Sequence, residues 1–342
     1  MLIVKLTIVV KKRHKNPQEI KEGMVIKMKK ISLLIPTFNE EENVRELAGA
    51  IVDVFKRDLA DYRYEIVFID NASTDGTRRI ISDLCNESEC IKAIFNAKNF
   101  GQFNSPYYGL CQTTGDCTIL MCADFQDPVD MIPVFVSEWE KGHKIVCGIK
   151  VTSRENGLVR FLRTCYYKLI KKFSTVNQIE HFTGFGLYDA SFIDVMRKLD
   201  DPMPFLRGIV AELGTYKEIP YEQQRRKAGK TKNNWLSLYD AAMLAFTSYT
   251  KAGLRVATFL GAILSLAGFL VATVYLILKL IFWNTFAAGM APILIGVFLF
   301  SSVQIFFIGL LGEYIMSINS RILHRPLVIE EKRINFDDEA GS

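Results

Sequence analysis

The sequence predicts an α/β domain with a mostly parallel central sheet flanked by helices, followed by a C-terminal hairpin of two transmembrane helices. Three observations predict it. Apolar runs of strand length alternate with helical patterns between Ile31 and Ile149, as in a sheet covered on both faces. Several of those runs end abruptly in proline or in polar turn formers, as strands do when they leave a core. Two long uncharged stretches, Val256 to Leu278 and Leu280 to Gly312, lie near the C-terminus.

Taken in order, Ile31 to Pro36 is a strand bounded by proline, and Thr37-Phe-Asn-Glu-Glu-Glu-Asn43 opens a helix with acids in its first turn, where the macrodipole favours them. Glu65 to Ile69 is a second strand. It ends in Asp70-Asn-Ala-Ser-Thr-Asp-Gly-Thr77, a loop dense in caps and turn formers, and a helical pattern follows over Arg78 to Leu84. Cys90 to Asn96 is a third strand; Asn99 to Gly101 then turn into a helix reaching about Thr113. Cys117 to Met121 is an unbroken apolar strand, and Ile145 to Ile149 another. Ligands of such sheets bind beyond the carboxyl ends of the strands, so the loops at Asp70 and Asp124 should face one crevice.

The segment Met121-Cys-Ala-Asp-Phe-Gln-Asp-Pro-Val-Asp130 crowds three carboxylates and a glutamine beyond the fourth strand. Hard oxygens there suit a divalent cation carrying phosphates; a solvated turn is the equal alternative on these residues alone. Asp75, with Ser73 and Thr77, is expected to shape its turn and cap the following helix.

A chain of 342 residues can bury one sizeable domain and carry an appendage. A net charge of +5 and 23% charged residues are ordinary, and no nucleic-acid partner is expected. The basic residues cluster instead in Lys11–Lys15, Lys168–Lys172 and Arg225–Lys232. No C-x-x-C pair occurs among Cys85, Cys90, Cys111, Cys117, Cys122, Cys147 and Cys165, and scattered thiols of odd number fit a reducing compartment. The apolar opening of Met1–Gly23 is too short to span, and its charge lies on the wrong side for a secretory signal. Residues 1–28 are expected to be an extension without a role.

Asn156 to Phe173 is amphipathic, with aromatics and leucines on one side and Arg160, Arg163, Lys168, Lys171 and Lys172 elsewhere. Packing on the domain and lying on an anionic membrane surface are both open to it. The 23 residues of Val256–Leu278 make about 35 Å of helix against a bilayer core of about 30 Å. Lys251 and Arg255 precede the first span, and Arg321, His324 and Arg325 follow the second. The positive-inside tendency puts both outer flanks, the α/β domain and both termini in the cytoplasm.

Five segments, in this order, carry a resemblance: Ile31-Ser-Leu-Leu-Ile-Pro-Thr-Phe-Asn-Glu-Glu-Glu42, Ile69-Asp-Asn-Ala-Ser-Thr-Asp-Gly-Thr77, Asn99-Phe-Gly101, Ala123-Asp-Phe-Gln-Asp-Pro128 and Arg226-Lys-Ala-Gly-Lys-Thr-Lys232. With the hairpin, the chain from about Lys30 to Arg325 resembles family 2 glycosyltransferases of the dolichol-phosphate-mannose-synthase and bacterial polyprenyl-phosphate-glycosyltransferase type. The resemblance implies a GT-A-like fold over residues 29–232, a juxtamembrane helix over 233–252, the two spans over 253–318 and a cytoplasmic tail over 319–342. It implies metal-dependent, inverting transfer of one sugar from a UDP- or GDP-linked donor to a polyprenyl phosphate, with Mg²⁺ or Mn²⁺ as cofactor, at the cytoplasmic membrane. A homo-oligomer is open, with Gly261, Gly268, Gly296 and Gly309 available for helix packing.

By the same resemblance, Pro36, Phe38 and Glu40 border the base and ribose, Asp70 accepts hydrogen bonds from them, and Asn99 turns the chain near the nucleotide. Asn99 and Gly101 serve that turn structurally or functionally with equal weight. Arg226 and Lys232 close over phosphates, with Gly229 as a flexible point. The family's acidic stretch often reads D-x-D-x-Q-D, and Cys122 stands at its first position. Asp124 and Gln126 are then the metal-facing pair, because a thiol is a poor ligand for a hard cation. Asp127 positions the acceptor or takes its residual proton. Gly184 and Gly186 replace an Asp and an Arg common in glucosyl-transferring relatives, so glucose is not implied. Two rivals remain: a processive polysaccharide synthase, against which Lys227 stands where tryptophan follows the arginine, and an inactive membrane-anchored sugar-nucleotide-binding partner.

Overall fold

The computed structural model describes residues 28–151, 179–227, 243–244, 252–282, 290–323 and 325–336. Lys232, Gly229, the amphipathic Asn156–Phe173 segment, nearly all of 233–252 and the extension up to residue 27 lie outside the described residues.

The α/β alternation is present: β1 (Lys30–Thr37), α1 (Val44–Asp58), β2 (Arg63–Asp70), α2 (Thr77–Glu87), β3 (Ile91–Asn96), α3 (Gly101–Gln112), β4 (Cys117–Leu120), α4 (Met131–Glu140) and β5 (Ile145–Lys150). Beyond them come β6 (Phe182–Asp189), α5 (Ala190–Leu199), α6 (Leu206–Leu213), β7 (Lys217–Tyr221), the long helices α7 (Ala252–Ile281) and α8 (Met290–Ile322), and β8 (Glu330–Ile334). The strands form one eight-stranded sheet in the order β7-β5-β6-β4-β1-β2-β3-β8.

Strands β3, β2, β1 and β4 are parallel neighbours, and β5 and β7 pair parallel; β6 and β8 run antiparallel to theirs. The sheet is therefore more mixed than the sequence implied, because β6, β7 and β8 lack the long apolar runs that betray a strand. The period of two sorts side chains to the faces. Ile31, Leu33, Ile35, Ile66 and Phe68 join α1, α2 and α4 in one core. Leu34, Val67, Ile69 and Ile94 join α3, α5 and α6 in the other.

Glycines in β6 answer its packing. Gly184 has φ 106°, and a Cβ on Gly186 would stand 2.3 Å from the Val146 carbonyl oxygen, where β5 and β6 slip register. A side chain is excluded there by the neighbouring backbone. Both sheet edges are guarded: β7 carries Pro220 and β8 reads Glu-Glu-Lys-Arg-Ile.

Phe300–Asn319 in α8 is long and apolar enough to cross a membrane, and α7 contains a shorter apolar stretch, Thr258–Val271. The second helix begins at Met290 and continues past Gly312 through Glu313 to Ile322, After α8 the chain returns to the α/β domain, where β8 pairs with β3.

Candidate active site

Order along the sheet makes the site. From β1 the chain moves outward through β2 and β3, then crosses back to place β4 on the other side of β1. The loops after β1 and β4 diverge at this switch point and leave a crevice beyond the strands' carboxyl ends. Three of the described non-glycine residues with positive φ, Asn39 (56°), Ala72 (61°) and Phe125 (59°), lie in the loops on this edge, each at a cost of order 1 kcal/mol.

Loops β1–α1 and β2–α2 are laced together. Asp70 is fully buried and accepts from the Ser73 N–H (3.0 Å), the Ser73 hydroxyl and Thr37 Oγ1 (3.3 Å), with Arg78 Nε 3.5 Å away. Burial pushes its carboxyl up, against the pull of Ser73 and Arg78. Ser73 Oγ in turn accepts the Asn39 N–H at 2.8 Å. Asp75 accepts the Thr77 N–H at 3.0 Å at the head of α2, the turn-shaping part expected of it. Glu40, Glu41 and Glu42 sit in the turn before α1, not in its first helical turn. Glu41 accepts the Gly76 N–H at 2.6 Å and Glu40 the Asn43 amide at 2.7 Å, and the helix begins only at Val44.

Behind this, Asn71 Nδ2 donates to Asn99 Oδ1 (2.9 Å), while Asn71 Oδ1 accepts from Asn96 Nδ2 (3.1 Å) and the Phe100 N–H (2.8 Å). Asn99 Oδ1 also accepts the Gly101 N–H at 2.8 Å, and Gly101 has φ 86°. The turn at Asn99 is thus built by an asparagine network that its own motif did not reveal.

The acidic loop after β4 meets a strap from the far end of the sheet. Asp124 is buried, and its Oδ2 lies 2.8 Å from Arg226 Nη2 while Oδ1 accepts the Gln126 N–H at 3.2 Å. The strap following β7 lies along the loop, with the Gln224 N–H donating to the Gln126 carbonyl (3.1 Å) and the Lys227 N–H to that of Asp124 (3.3 Å). Lys227 stands 5.1 Å over the Phe125 ring. Arg226 Nε is buried with no hydrogen-bond partner, an open donor beside the carboxylate.

Asp127 is buried one turn further. Its Oδ2 accepts the Cys122 N–H at 2.9 Å and its Oδ1 the Tyr221 hydroxyl at 3.1 Å. Burial pushes its carboxyl up to about 6, against those two hydrogen bonds. Tyr221 ends β7 and packs edge-on against Phe185 of β6 at 5.1 Å.

The sequence model described as glycosyl transferase family 2 matches residues 32–197. A relative named SfII prophage-derived bactoprenol glucosyl transferase, from Shigella flexneri, is 31% identical over 89% of this chain and 98% of its own. The chain belongs to glycosyl transferase family 2. An undecaprenyl-phosphate 4-deoxy-4-formamido-L-arabinose transferase from Proteus mirabilis is 29% identical over 90% of this chain and 94% of its own. A mannosyl-3-phosphoglycerate synthase structure from Rubrobacter xylanophilus aligns with TM-score 0.47 and 18% identity over 68% of this chain and 75% of that one.

In this family 2 glycosyltransferase, with its GT-A-like fold, the residues singled out in sequence converge on one edge. Pro36, Phe38 and Glu40 follow β1, Asp70 ends β2, Asn99 follows β3, and Asp124, Gln126 and Asp127 follow β4. Arg226 reaches them from β7. The fold also adds Asn71, Asn96 and Tyr221, which sequence reasoning missed. Asn71 was visible as a turn former; Tyr221 had no local signal, being 94 residues from its partner.

Among the described residues no group of three or more His, Cys, Asp or Glu could enclose a metal ion. Asp124 and Gln126 offer one carboxylate and one amide. That donor set fits a hard cation that takes its other oxygens from a diphosphate and water. The six described cysteines are free.

Proposed function

We propose that this glycosyltransferase moves a single sugar from a UDP- or GDP-linked donor to a polyprenyl phosphate, with inversion, at the cytoplasmic leaflet. The observation that carries the reading is the Asp124–Arg226 pair at the switch point. It sets a hard oxygen donor and an unsatisfied guanidinium donor beside each other where a diphosphate enters. The names of the relatives from Shigella flexneri and Proteus mirabilis support the lipid acceptor. Phe259, Ile263, Phe269, Ile305 and Phe306 on α7 and α8 are exposed, an apolar surface that lipid covers. The return of the chain to β8 keeps the end of α8 on the side of the α/β domain, which supports a two-helix hairpin with both flanks cytoplasmic.

Asp124 and Gln126 would hold Mg²⁺ or Mn²⁺, and the bound ion would neutralise the departing nucleoside diphosphate. Arg226 turns its guanidinium to the phosphates, its Nε and Nη groups forming a fork that matches their oxygens. Pro36, Phe38, Glu40 and Asp70 border the nucleoside, and Asn99 holds the β3 turn beside it. Lys232, beyond the strap, adds a second positive charge. A phosphate monoester has its second pKa near about 6, so the acceptor is largely dianionic at pH 7 and needs no strong base. Asp127 fixes the loop through the Cys122 N–H, and at about 6 its carboxyl can take the proton of the residual monoanion. Alignment of two anions by fixed positive charge supplies most of the rate.

A panel decides it: purified protein, bacterial polyprenyl phosphate, Mg²⁺ or Mn²⁺, and UDP- and GDP-sugars in turn. One donor is expected to yield a lipid-phosphate sugar, with chelator abolishing the product. If every donor fails with active lipid present, a sugar-nucleotide-binding partner replaces the enzyme reading; chains of several sugars would point to a polysaccharide synthase.

A further inference from the structure

The strand that follows the second long helix is tied to the donor side of the site. β8 begins at Glu330, eight residues beyond the end of α8 at Ile322. It is fastened at both ends. The Ala97 N–H donates to the Ile329 carbonyl at 2.9 Å. At the other end, Asn335 Nδ2 donates to the carbonyls of Cys85 (2.7 Å) and Ile91 (2.8 Å). Arg333 adds contacts to Gln112 Oε1 (2.7 Å) and the Tyr108 hydroxyl (3.1 Å) on α3.

Between those fastenings, Glu331 reaches into the sheet edge. Its Oε2 accepts from Arg78 Nη2 at 2.7 Å. The same guanidinium lies 5.0 Å over the Phe95 ring and presents Nε to Asp70 Oδ2 at 3.5 Å. Asp70 holds Thr37 and Ser73, and Ser73 holds the Asn39 backbone. One unbroken chain of contacts thus runs from the segment leaving α8, through Arg78, to both loops that follow β1 and β2.

We propose that Arg78, held by Glu331, is a positioning residue for the donor site, so that the tail strand leaving the membrane helix sets the conformation of the β1 and β2 loops. That these loops receive a nucleotide rests on the function proposed above; the mechanical coupling does not. Arg78 acts only through Asp70. A partly exposed ion pair controls a loop by a modest factor, which sets the size of the expected effect.

The test uses the full-length protein in lipid nanodiscs, as wild type, Glu331→Gln, Glu331→Arg and Arg78→Lys. Amide hydrogen exchange is read over 37–43 and 70–78, alongside the affinities for UDP and for GDP in Mn²⁺. Glu331→Arg is expected to speed exchange in those two segments by about threefold to fivefold, with β4 and α4 unchanged. The affinity for whichever nucleotide binds falls by a similar factor. Glu331→Gln and Arg78→Lys fall between it and wild type. Unchanged exchange in 70–78, a change spread evenly over the domain, or faster exchange with undiminished nucleotide affinity each overturns the coupling to the donor site. If wild type binds neither nucleotide, the donor assignment fails on its own and the exchange arm alone decides the mechanical link.

Discussion

Two carboxylates are buried at opposite ends of the same sheet, and they are treated in opposite ways. Glu65, toward the amino end of β2, has Lys30 Nζ at 2.6 Å and Lys92 Nζ at 3.0 Å, with the Ser32 hydroxyl and the Thr114 N–H completing its shell. Against the upward push of burial, those partners pull it down to about 2. Asp127, at the carboxyl end, has only an N–H and a phenol, and burial pushes it up to about 6. One end spends fixed positive charge on holding the fold. The other withholds it, so that a carboxyl titrates near neutrality and the nearby guanidinium of Arg226 stays available to phosphate.

The comparison breaks most sharply at Asp124. Asp124→Asn is expected to cut transfer by about 10²-fold to 10³-fold with the melting temperature unchanged or raised, since the charge it removes serves chemistry; steady-state kinetics and calorimetry read the two together. Glu65→Ala reverses the pattern. It strands Lys30 and Lys92 and should cost about 3–5 kcal/mol in denaturant unfolding, leaving donor KM unchanged wherever the protein is folded.

Proton linkage separates the two carboxylates by sign. The folded pKa of Glu65 lies below its ordinary 4.5, so its contribution is complete above that value and is lost as pH falls toward 2. The folded pKa of Asp127 lies above its ordinary 3.8, so its favourable contribution is present below 3.8 and is lost as pH rises through about 6. Asp127→Asn is therefore expected to raise stability at pH 7 by roughly 1–3 kcal/mol and to flatten the pH dependence of unfolding between 4 and 6. Tyr221→Phe is the mildest change. Losing one hydrogen bond to the carboxylate should move the acidic limb of the kcat profile to higher pH, with a stability loss of about 1 kcal/mol.

Within the site, most of what mattered chemically was legible before any fold was known, because it lies in short segments. Pro36 ends a strand, Asp124 and Gln126 follow one, and Asp75 caps a helix, each by rules that operate over a few residues. The roles of these side chains were less legible than their places. Asp70 spends its oxygens on Thr37, Ser73 and Arg78, and Asn99 serves a turn through Asn71. Gly184 and Gly186, read as departures from a sugar-site motif, are required by the register slip between β5 and β6.

The sequence by itself determined the parallel core, the edge on which the site lies and the apolar character of the C-terminal helices, because apolar periodicity and turn chemistry are local. Tertiary structure alone decided what joins across long separations. It made β6 and β7 extend the sheet, set Tyr221 on Asp127 and Arg226 on Asp124, and brought β8 back to β3 so that Glu331 meets Arg78. These strands are short, charged or glycine-bearing, and they take strand form by completing hydrogen bonds along edges that other parts of the chain expose. That demand is a property of the assembled sheet, which no window of sequence contains.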